Sequence, residues 1–260
     1  MTFIYRNVEI FEISGKDCFD LLQGILTNDL RELNEKKPIQ LNGLCNHKGR
    51  LIALFFTFFR RSNSFLITIP QNNITNVINE LKKYTIFSKI QIRANSNYKL
   101  IYDKKYNNDF FCYHHSFVLN KEINSLKKED IFKNKNVMYA KNIAMKLPFI
   151  DKNNSGKFLP SELSLDDFNV ISYSKGCFLG QEILAKLKNK NGNQKKKLIN
   201  IVIKNKKTIP NLIYNEKEKI VASVVNQVVV KEMLHLTLVI NKTFFLQGKE
   251  KEYIEKLIKE

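Results

Sequence analysis

The residues with the clearest chemical potential form one short segment, Lys175 to Glu182, with the sequence K-G-C-F-L-G-Q-E. Lys175 stands two residues from Cys177, so both side chains share a face if the segment is extended. An ammonium near a thiol favours the nucleophilic thiolate, which makes a reactive thiol one prediction. Gly176 and Gly180 permit a positive φ or a close approach of backbone to a ligand. The alternative is a structural loop with a buried cysteine and two turn glycines, and local chemistry favours neither.

The segment runs into a helix that apolar spacing predicts from Gln181 through Leu187. Gln181 and Glu182 therefore lie near the helix N-terminus, beside the glycine turn. A carboxylate at that end is stabilised by the positive pole of the helix dipole.

A second cluster is residues 159–166, L-P-S-E-L-S-L-D, in which Glu162 stands between apolar residues. A carboxylate is the natural partner of an aminopyrimidine, because two parallel N–H donors match its two oxygens. The spacing alone favours the plainer interpretation, a surface glutamate before a short helix. A third segment ends in Thr27-Asn28-Asp29, and by itself it predicts a helix C-terminus followed by a polar turn.

The cysteines and histidines do not predict a metal site. None of the four cysteines forms a C-x-x-C pair, and the four histidines are scattered. This spacing argues against a zinc or iron–sulfur site built from this chain alone, so no metal is expected. The cysteines also match a disulfide scaffold poorly. We expect reduced thiols in a cytoplasmic protein.

Length and charge narrow the class of protein. The chain has 260 residues, which predicts one to three domains at about 150 residues each. No apolar stretch is long enough for a membrane span. The net charge is +18, from 43 Lys and Arg against 25 Asp and Glu. The lysines are densest between Lys186 and Lys207; a solvated lysine-rich surface is favoured there over attraction to a polyanion such as RNA.

The first half of the chain predicts a small α+β layer, with helices on one side of an antiparallel sheet. Ser14 and Asp17 predict a capping box for a first helix at 15–24. Apolar residues on one face predict a second helix at 71–84. The predicted strands of this half are 3–13, 39–46, 50–60, 64–69, 86–93, 98–103 and 110–113, with a further helix around 121–133.

The second half begins with loops and short helices over 134–195. Strand patterns return from residue 198 onward and predict a small barrel or half-barrel. Its predicted strands are 198–203, 211–214, 219–230 and 233–240, followed by a helix at 249–259.

Together these segments resemble the YgfZ family of folate-binding proteins, which is related to the aminomethyltransferase (T-protein) of the glycine cleavage system. The family hallmark, K-G-C-aromatic-x-G-Q-E, is matched in full by residues 175–182. The supporting matches follow the family's order and are residues 22–30 (L-Q-G-x-L-T-N-D-L), 46–51 (N-x-K-G-R-L) and 159–166 (L-P-x-E-x-x-L-D). The resemblance covers roughly residues 1–200 and is weak beyond them.

The resemblance implies an α+β, cloverleaf-like arrangement of the aminomethyltransferase type. A discontinuous folate-binding domain would comprise residues 1–45 plus 135–195. A ferredoxin-like domain would be inserted at 46–134, and a short, barrel-like β domain would follow at 196–260.

The resemblance also implies a site for tetrahydrofolate or a one-carbon derivative. Glu162 corresponds to the carboxylate that holds the pterin ring, and Asn28 and Asp29 line or brace the pocket. The mouth would be formed by residues of the hallmark, namely Lys175, Gly176, Cys177, Gly180, Gln181 and Glu182. Function would depend on Cys177, with Lys175 beside it.

Three departures from the family pattern affect these expectations. Lys186 stands where the family has arginine, so the charge remains but the bidentate fork is lost. Asn142 and Lys146 stand where the family commonly has an arginine and a glycine. Residues 49–54 lack the acidic pair of the T-protein, so aminomethyl transfer would lack its charge stabiliser.

The predicted function is therefore a tetrahydrofolate-binding protein that supports iron–sulfur cluster assembly or repair, including in enzymes that modify tRNA. Its partners would be the folate and iron–sulfur client or assembly proteins, with no membrane. Two alternatives stay open, a folate-dependent aminomethyltransferase-like enzyme and an RNA-binding basic protein, and direct nucleic-acid binding is not favoured.

Overall fold

The computed structural model describes residues 2–4, 7–103, 117–120, 140, 142–144, 146–189, 195–204, 207–244 and 248–259. The chain divides into two compact units. The first unit comprises Met1–Lys135, Ile150–Pro160 and Leu165–Lys186, and the second comprises Asn136–Phe149, Ser161–Ser164 and Leu187–Glu260. None of the helices in the described residues combines the length and apolar character that crossing a bilayer requires.

The first unit contains two antiparallel sheets. Its strands are β1 (Thr2–Ile4), β2 (Val8–Ser14), β3 (Ile39–Cys45), β4 (Leu51–Arg61), β5 (Ser64–Pro70), β6 (Gln91–Ala94), β7 (Lys99–Asp103) and β8 (Phe117–Asn120). The larger sheet has the order β3-β4-β5-β2-β6 and the smaller one the order β1-β7-β8. The three-strand meander that the sequence predicts is therefore present as β3, β4 and β5.

Two helices cover one face of the larger sheet, α1 (Cys18–Ile25) and α2 (Ile74–Lys82). Leu22 of α1 and Val77 of α2 belong to the same buried cluster as Phe65 and Ile67 of β5. Full burial of a side chain of this size contributes about 1.5–3 kcal/mol. This packing fixes the C-terminal end of α1, which leads into the candidate site.

The capping box predicted from Ser14 and Asp17 is wrong. Ser14 is the last residue of β2 and pairs with Ser64. Asp17 is the residue before the helix but makes no side-chain cap bond; its carboxylate Oδ2 accepts from the Lys89 backbone N–H at 2.7 Å. Because strand pairing continues through Ser14, helix α1 begins only at Cys18.

The strand predicted at 86–93 begins later than expected. Pairing with β2 starts at Gln91, opposite Ser14, and residues 86–88 lie in a turn. Ile86 and Phe87 are exposed, at 73% and 98%. Their apolar character predicts buried strand residues, although neither side chain is buried. The strand predicted at 110–113 and the helix predicted at 121–133 lie outside the described residues.

The second unit is built on a four-stranded antiparallel sheet. Its strands are β9 (Lys196–Lys204), β10 (Leu212–Tyr214), β11 (Ile220–Val230) and β12 (Met233–Asn241), in the order β10-β11-β12-β9. Helix α4 (Glu250–Lys259) packs on the sheet through Ile254, which is fully buried. Because β10 and β9 are edge strands of this described sheet, it is open, and the predicted barrel is not closed.

The fold is thus mixed, with antiparallel sheets and helices packed against them. The domain boundary predicted after residue 45 falls between β3 and β4, which pair along their length. The larger sheet therefore combines strands from both sides of that boundary. The division into three domains stays a prediction.

Candidate functional site

Lys175 is the centre of the candidate site, and its ammonium is buried. The residue is 4% exposed. Its Nζ donates to the carbonyl oxygens of Gln23 at 2.5 Å, Leu26 at 2.8 Å and Asn28 at 3.0 Å. An ammonium has three donors, and these three carbonyls accept one hydrogen bond each. Lys175 therefore fastens the hallmark segment to the end of α1 and the polar turn that follows it.

Burial changes the acid–base character of Lys175. It lowers the pKa of Lys175 to about 8, and the nearby carboxylate of Asp29 partly opposes this. The ammonium also lies 5.2 Å from the centre of the Phe178 ring, a distance at which a cation is attracted to an aromatic face. The role predicted for Lys175 in activating Cys177 stays a prediction, whereas the structure shows an anchor.

Further hydrogen bonds join the same two segments. The Leu179 backbone N–H donates to the Gly24 carbonyl at 3.1 Å, and that of Ser172 donates to the Thr27 carbonyl at 3.0 Å. The Thr27 hydroxyl donates to the Val170 carbonyl at 2.7 Å. Two stretches far apart in the chain therefore run side by side, so the two motifs are adjacent in the structure.

Asn28 is buried and uses its side chain within the protein. Its Nδ2 donates to the carbonyl oxygens of Leu41 at 3.2 Å and Asn169 at 2.7 Å. Its Oδ1 accepts from the Asp29 backbone N–H at 2.9 Å, and its own backbone N–H donates to Asn42 Oδ1 at 3.2 Å. These bonds brace the turn between α1 and β3.

Asp29 is held as a carboxylate by its neighbours. The Arg31 guanidinium binds both of its oxygens, at distances down to 2.6 Å. Gln23 Nε2 donates to Asp29 Oδ1 at 2.9 Å, while Gln23 Oε1 accepts from the Leu30 backbone N–H at 2.8 Å. The hydrogen bonds from Arg31 hold the pKa of Asp29 well below its usual range. Asp29 therefore also braces the turn.

The two hallmark glycines differ. Gly180 has φ +82°, and a Cβ there would lie 2.8 Å from the Asn46 carbonyl oxygen and 2.9 Å from Gly49 Cα. It thus has the positive φ expected of it, and it lets a third motif, residues 46–51, pack closely against the hallmark. Its close approach to a ligand stays a prediction. Gly176 has open space around its Cβ position and no positive φ, so it does not adopt the left-handed conformation, and its close approach to a ligand stays a prediction.

Cys177 is the exposed thiol of the described residues. Cys18, Cys45 and Cys177 are free in this part of the chain, and the first two are buried. Burial raises the pKa of Cys18 and Cys45 to about 12. A buried thiol of that kind is inert, whereas reactivity requires access. Cys177 meets that requirement, and its catalytic role stays a prediction.

Gln181 and Glu182 open helix α3 (Gln181–Asn189), as the sequence predicts. Gln181 Oε1 accepts from the Phe178 backbone N–H at 3.3 Å, so this side chain closes the turn around the hallmark. Glu182 is exposed and pairs with Lys186 at 2.5 Å, one helical turn onward. Hydrogen bonding to Lys186 lowers the pKa of Glu182. Lys186, a departure from the family pattern, thus serves a surface ion pair.

Glu162 belongs to the second unit and lies in a short 3-10 helix, Pro160–Leu163. Its side chain is 16% exposed, and Oε1 is paired with Lys196 Nζ of β9 at 3.0 Å. The plainer interpretation of the sequence places this carboxylate on the open surface. In the structure it is half-buried instead. Because Lys196 is paired here and Lys186 is paired with Glu182, two lysines of the basic 186–207 segment balance carboxylates.

The two remaining departures behave differently. Asn142 is buried, and its carbonyl accepts from the Leu147 backbone N–H at 3.0 Å. Lys146 has φ +58°, in the region that favours glycine. The structure thus has a left-handed residue in the segment where the family commonly has glycine, but this chain places a lysine there.

Several bracing residues were missed by sequence reasoning. Gln23 orients Asp29 and Leu30, and Thr27 accepts the Gly43 backbone N–H at 2.8 Å. Asn42 Nδ2 donates to Gln40 Oε1 and to a β4 hydroxyl. Gln23 and Thr27 lie within the motif of residues 22–30. Their polar character at a helix end was the feature of the sequence that could have identified them as bracing residues. Asn42 offered none, because it alternates with apolar residues in its strand, as Gln40 does, and that pattern predicts a solvent-facing side chain.

The fold of the chain matches that of a known enzyme class. The crystal structure of glycine cleavage system aminomethyltransferase T from Bartonella henselae superposes with a TM-score of 0.66, over 95% of this chain and 80% of that chain, at 10% sequence identity. No family model matches the chain. The fold is therefore that of the aminomethyltransferase T class.

Sequence comparison finds relatives with a higher identity to this chain than the aminomethyltransferase has. The tRNA-modifying protein YgfZ of Buchnera aphidicola (subspecies Baizongia pistaciae) is 28% identical over 226 residues, covering 72% of this chain and 68% of the relative. That of Klebsiella pneumoniae is 29% identical over 218 residues, covering 70% and 66%. The match thus spans about two thirds of the length of these relatives. These matches in sequence and in fold support a YgfZ-type protein that is related to the T-protein.

Proposed function

We propose that this protein binds tetrahydrofolate or a one-carbon derivative and that this binding supports tRNA modification, the role named for its relatives. One observation carries the proposal. The Lys175 ammonium joins the family hallmark to the motif of residues 22–30 through three short hydrogen bonds. Two motifs that define the family resemblance thus form one braced structure with an exposed thiol.

The residues present fit a folate in chemical type. Glu162 is a half-buried carboxylate, which can accept two parallel N–H donors from an aminopyrimidine. Asn28 and Asp29 bind the protein itself, which supports a bracing role over direct contact. We propose that Glu162 holds the pterin.

The finer proposal concerns Cys177 and its partners. We propose that the thiol serves iron–sulfur cluster assembly or repair in client proteins, including tRNA-modifying enzymes, in the cytoplasm. Its support is the contrast between the exposed Cys177 and the buried thiols of Cys18 and Cys45. An exposed thiol on an anchored loop is accessible to another protein without unfolding.

The proposed arrangement of the chain is the cloverleaf, with a ferredoxin-like insertion at 46–134. Its support is the similarity in fold to aminomethyltransferase T over 95% of the chain.

Calorimetric titration with tetrahydrofolate under anaerobic conditions tests the folate site. We expect binding by the parent protein and its loss in Glu162→Gln, which removes the charge but keeps the size. Lys196→Met removes the ion pair and leaves the carboxylate, so it should still bind. Glu216→Gln is the matched control, because Glu216 is an exposed glutamate paired with Lys256 in the same unit.

Two results of that titration contradict the proposal. Absence of binding by a folded parent protein would refute the folate site. Equal losses in Glu162→Gln and Lys196→Met would show that the ion pair matters for structure and that Glu162 does not bind the ligand.

Replacement of Cys177 by serine tests the role of the thiol. In a bacterium that lacks its own YgfZ protein, we expect the parent chain to restore the activity of iron–sulfur tRNA-modifying enzymes and the variant to fail. The thermal unfolding temperature should be unchanged, because Cys177 is exposed. Full restoration by the variant would refute the role.

An aminomethyltransferase-like enzyme is the second candidate, and similarity in fold favours it. The residue types at 51–54 do not, since Leu51 and Ala53 are buried apolar side chains of β4. A carboxylate that stabilises developing charge is therefore missing from this stretch. Turnover of an aminomethylated carrier protein by the purified chain would establish this candidate instead.

A further inference from the structure

The first unit has a concave polar surface formed by residues other than those of the candidate site. It lies where the end of β2, the turn between β4 and β5, and the segment leading into β6 come together. Its volume is about 730 Å³, and its walls include Lys16, Arg61 and Lys89.

This cavity is strongly cationic. The side chains of Lys16, Arg61 and Lys89 are exposed, and no aspartate or glutamate is among its lining residues, all of which are described. The ion pairs of the described residues do not involve any of these three cations. Cations gathered in a concavity whose lining has no acidic side chain attract anions such as phosphate.

The walls are held together by backbone contacts. The Gly15 backbone N–H donates to the Asn63 carbonyl at 3.0 Å. Gly15 has φ +137°, and a Cβ there would lie 2.1 Å from the Lys89 carbonyl oxygen. Asp17, the acidic residue closest in sequence, uses its Oδ2 to accept the Lys89 backbone N–H. The cavity is therefore preformed, and a ligand need not order it.

An exposed aromatic residue is next in sequence to a residue of the cavity wall. Phe87 is 98% exposed and immediately precedes Ser88, which lines the cavity. Proteins that bind single-stranded nucleic acids combine a positively charged groove with aromatic rings on which bases stack. The chain thus has an exposed ring next in sequence to a cationic cavity wall, and charge and ring are the combination that this kind of ligand requires.

We propose that this surface binds single-stranded RNA, with Lys16, Arg61 and Lys89 contacting phosphates and Phe87 stacking on a base. The lining also includes Ser62 and other neutral side chains that both donate and accept hydrogen bonds. Such groups can bind the 2′-hydroxyl, which distinguishes RNA from DNA. This site is independent of the folate proposal and of the lysine-rich 186–207 segment.

The test is fluorescence anisotropy of a labelled single-stranded RNA of about ten nucleotides, a length within the usual range for such sites. The full chain should bind it, and affinity should fall as salt rises. Changing Lys16, Arg61 or Lys89 to alanine should weaken binding and reduce the slope of log affinity against log salt by about 0.7 for each cation removed. Lys217→Ala, an exposed lysine of the second unit, should leave both unchanged.

Variants of Phe87 separate base stacking from a generic apolar contact. Phe87→Leu keeps an apolar side chain without a ring, and we expect it to weaken binding by about 5- to 100-fold. Phe87→Trp keeps the ring and should bind at least as well as the parent. Because the side chain is exposed, unfolding temperatures should stay the same across the series.

The outcomes decide the proposal. It would be overturned by absence of RNA binding, by equal losses in Lys217→Ala and the three cavity variants, or by equal affinity for DNA of the same sequence. Unchanged binding in Phe87→Leu would also overturn it and point to a protein partner for this apolar ring. Selective losses in the cavity variants and in Phe87→Leu support it.

Discussion

Replacing Lys175 with methionine removes a buried ammonium and leaves three carbonyl oxygens without their donor. Each acceptor that loses its partner in a buried site costs about 1–3 kcal/mol. Against this, burial lowers the pKa of Lys175 from 10.5 to about 8, a penalty of about 3 kcal/mol that methionine does not incur. The balance predicts that the variant loses about 3 kcal/mol of unfolding free energy.

Urea unfolding followed by circular dichroism measures this loss. Its pH dependence provides a second test. The unfolded chain keeps the Lys175 proton up to about pH 10.5, whereas the folded chain releases it near pH 8. The unfolded state therefore binds more protons between these values, and the contribution of Lys175 to stability rises with pH there. The difference between parent and variant should accordingly widen from pH 8 to pH 10.

Two results would refute this reasoning. A variant within about 0.5 kcal/mol of the parent, the scale of ordinary surface substitutions, would show that the anchor contributes little. A variant of full stability whose Cys177 reacts more slowly with a thiol reagent would show instead that Lys175 acts on the thiol. The anchor predicts the opposite pattern, with lost stability and a faster reaction, because the released loop exposes Cys177 further.

Three further predictions concern the same loops. Gly180→Ala should lower the unfolding free energy measured in urea by about 2–4 kcal/mol, because of the positive φ and the close Asn46 carbonyl. Gly176→Ala should leave it nearly unchanged, and equal losses in the two variants would contradict this prediction. Lys146→Gly should raise the unfolding free energy by about 0.5–1 kcal/mol, since its φ is +58°, and a decrease would be contrary to it. The folded pKa of Asp29 is lowered, so its contribution to stability is present above about pH 4 and is lost as pH falls further. The stability of Asp29→Asn should therefore fall less steeply with pH during acid unfolding. An unchanged slope would argue against the Arg31 contact.

Much of the fold follows from local patterns. The strands of the meander, those of the second unit and the final helix were predicted to within a few residues. The meander strands are almost wholly buried runs bounded by polar turns, and the final helix buries one face. The errors have specific causes. Ser14 and Asp17 match a capping box, but tertiary pairing with Ser64 continues the strand through Ser14. Phe87 reads as a strand residue by type, yet its exposure is decided by its surroundings.

The sequence predicted candidate site residues, but it did not predict the contact that each of them makes. Local chemistry left Lys175 as either an activator or a structural residue, because a sequence does not show which carbonyls its ammonium meets. Gly176 and Gly180 looked equivalent, but the approach of Gly49 to Gly180 depends on tertiary packing. Asn42 was missed, since only the packing of the turn after α1 against β3 places it beside the Asn28 backbone.

The anchor of Lys175 spans between 147 and 152 residues of sequence. At about 5–20 residues per second, synthesis reaches Lys175 roughly 7 to 30 seconds after the carbonyls of Gln23, Leu26 and Asn28. The end of α1 leaves the ribosome early but reaches its final state late, since such distant contacts require a large loop to close first. The carbonyl groups at the end of α1 thus stay hydrated in the nascent chain until Lys175 emerges. The loop that carries Cys177 is anchored only after the strands of the larger sheet have been synthesised.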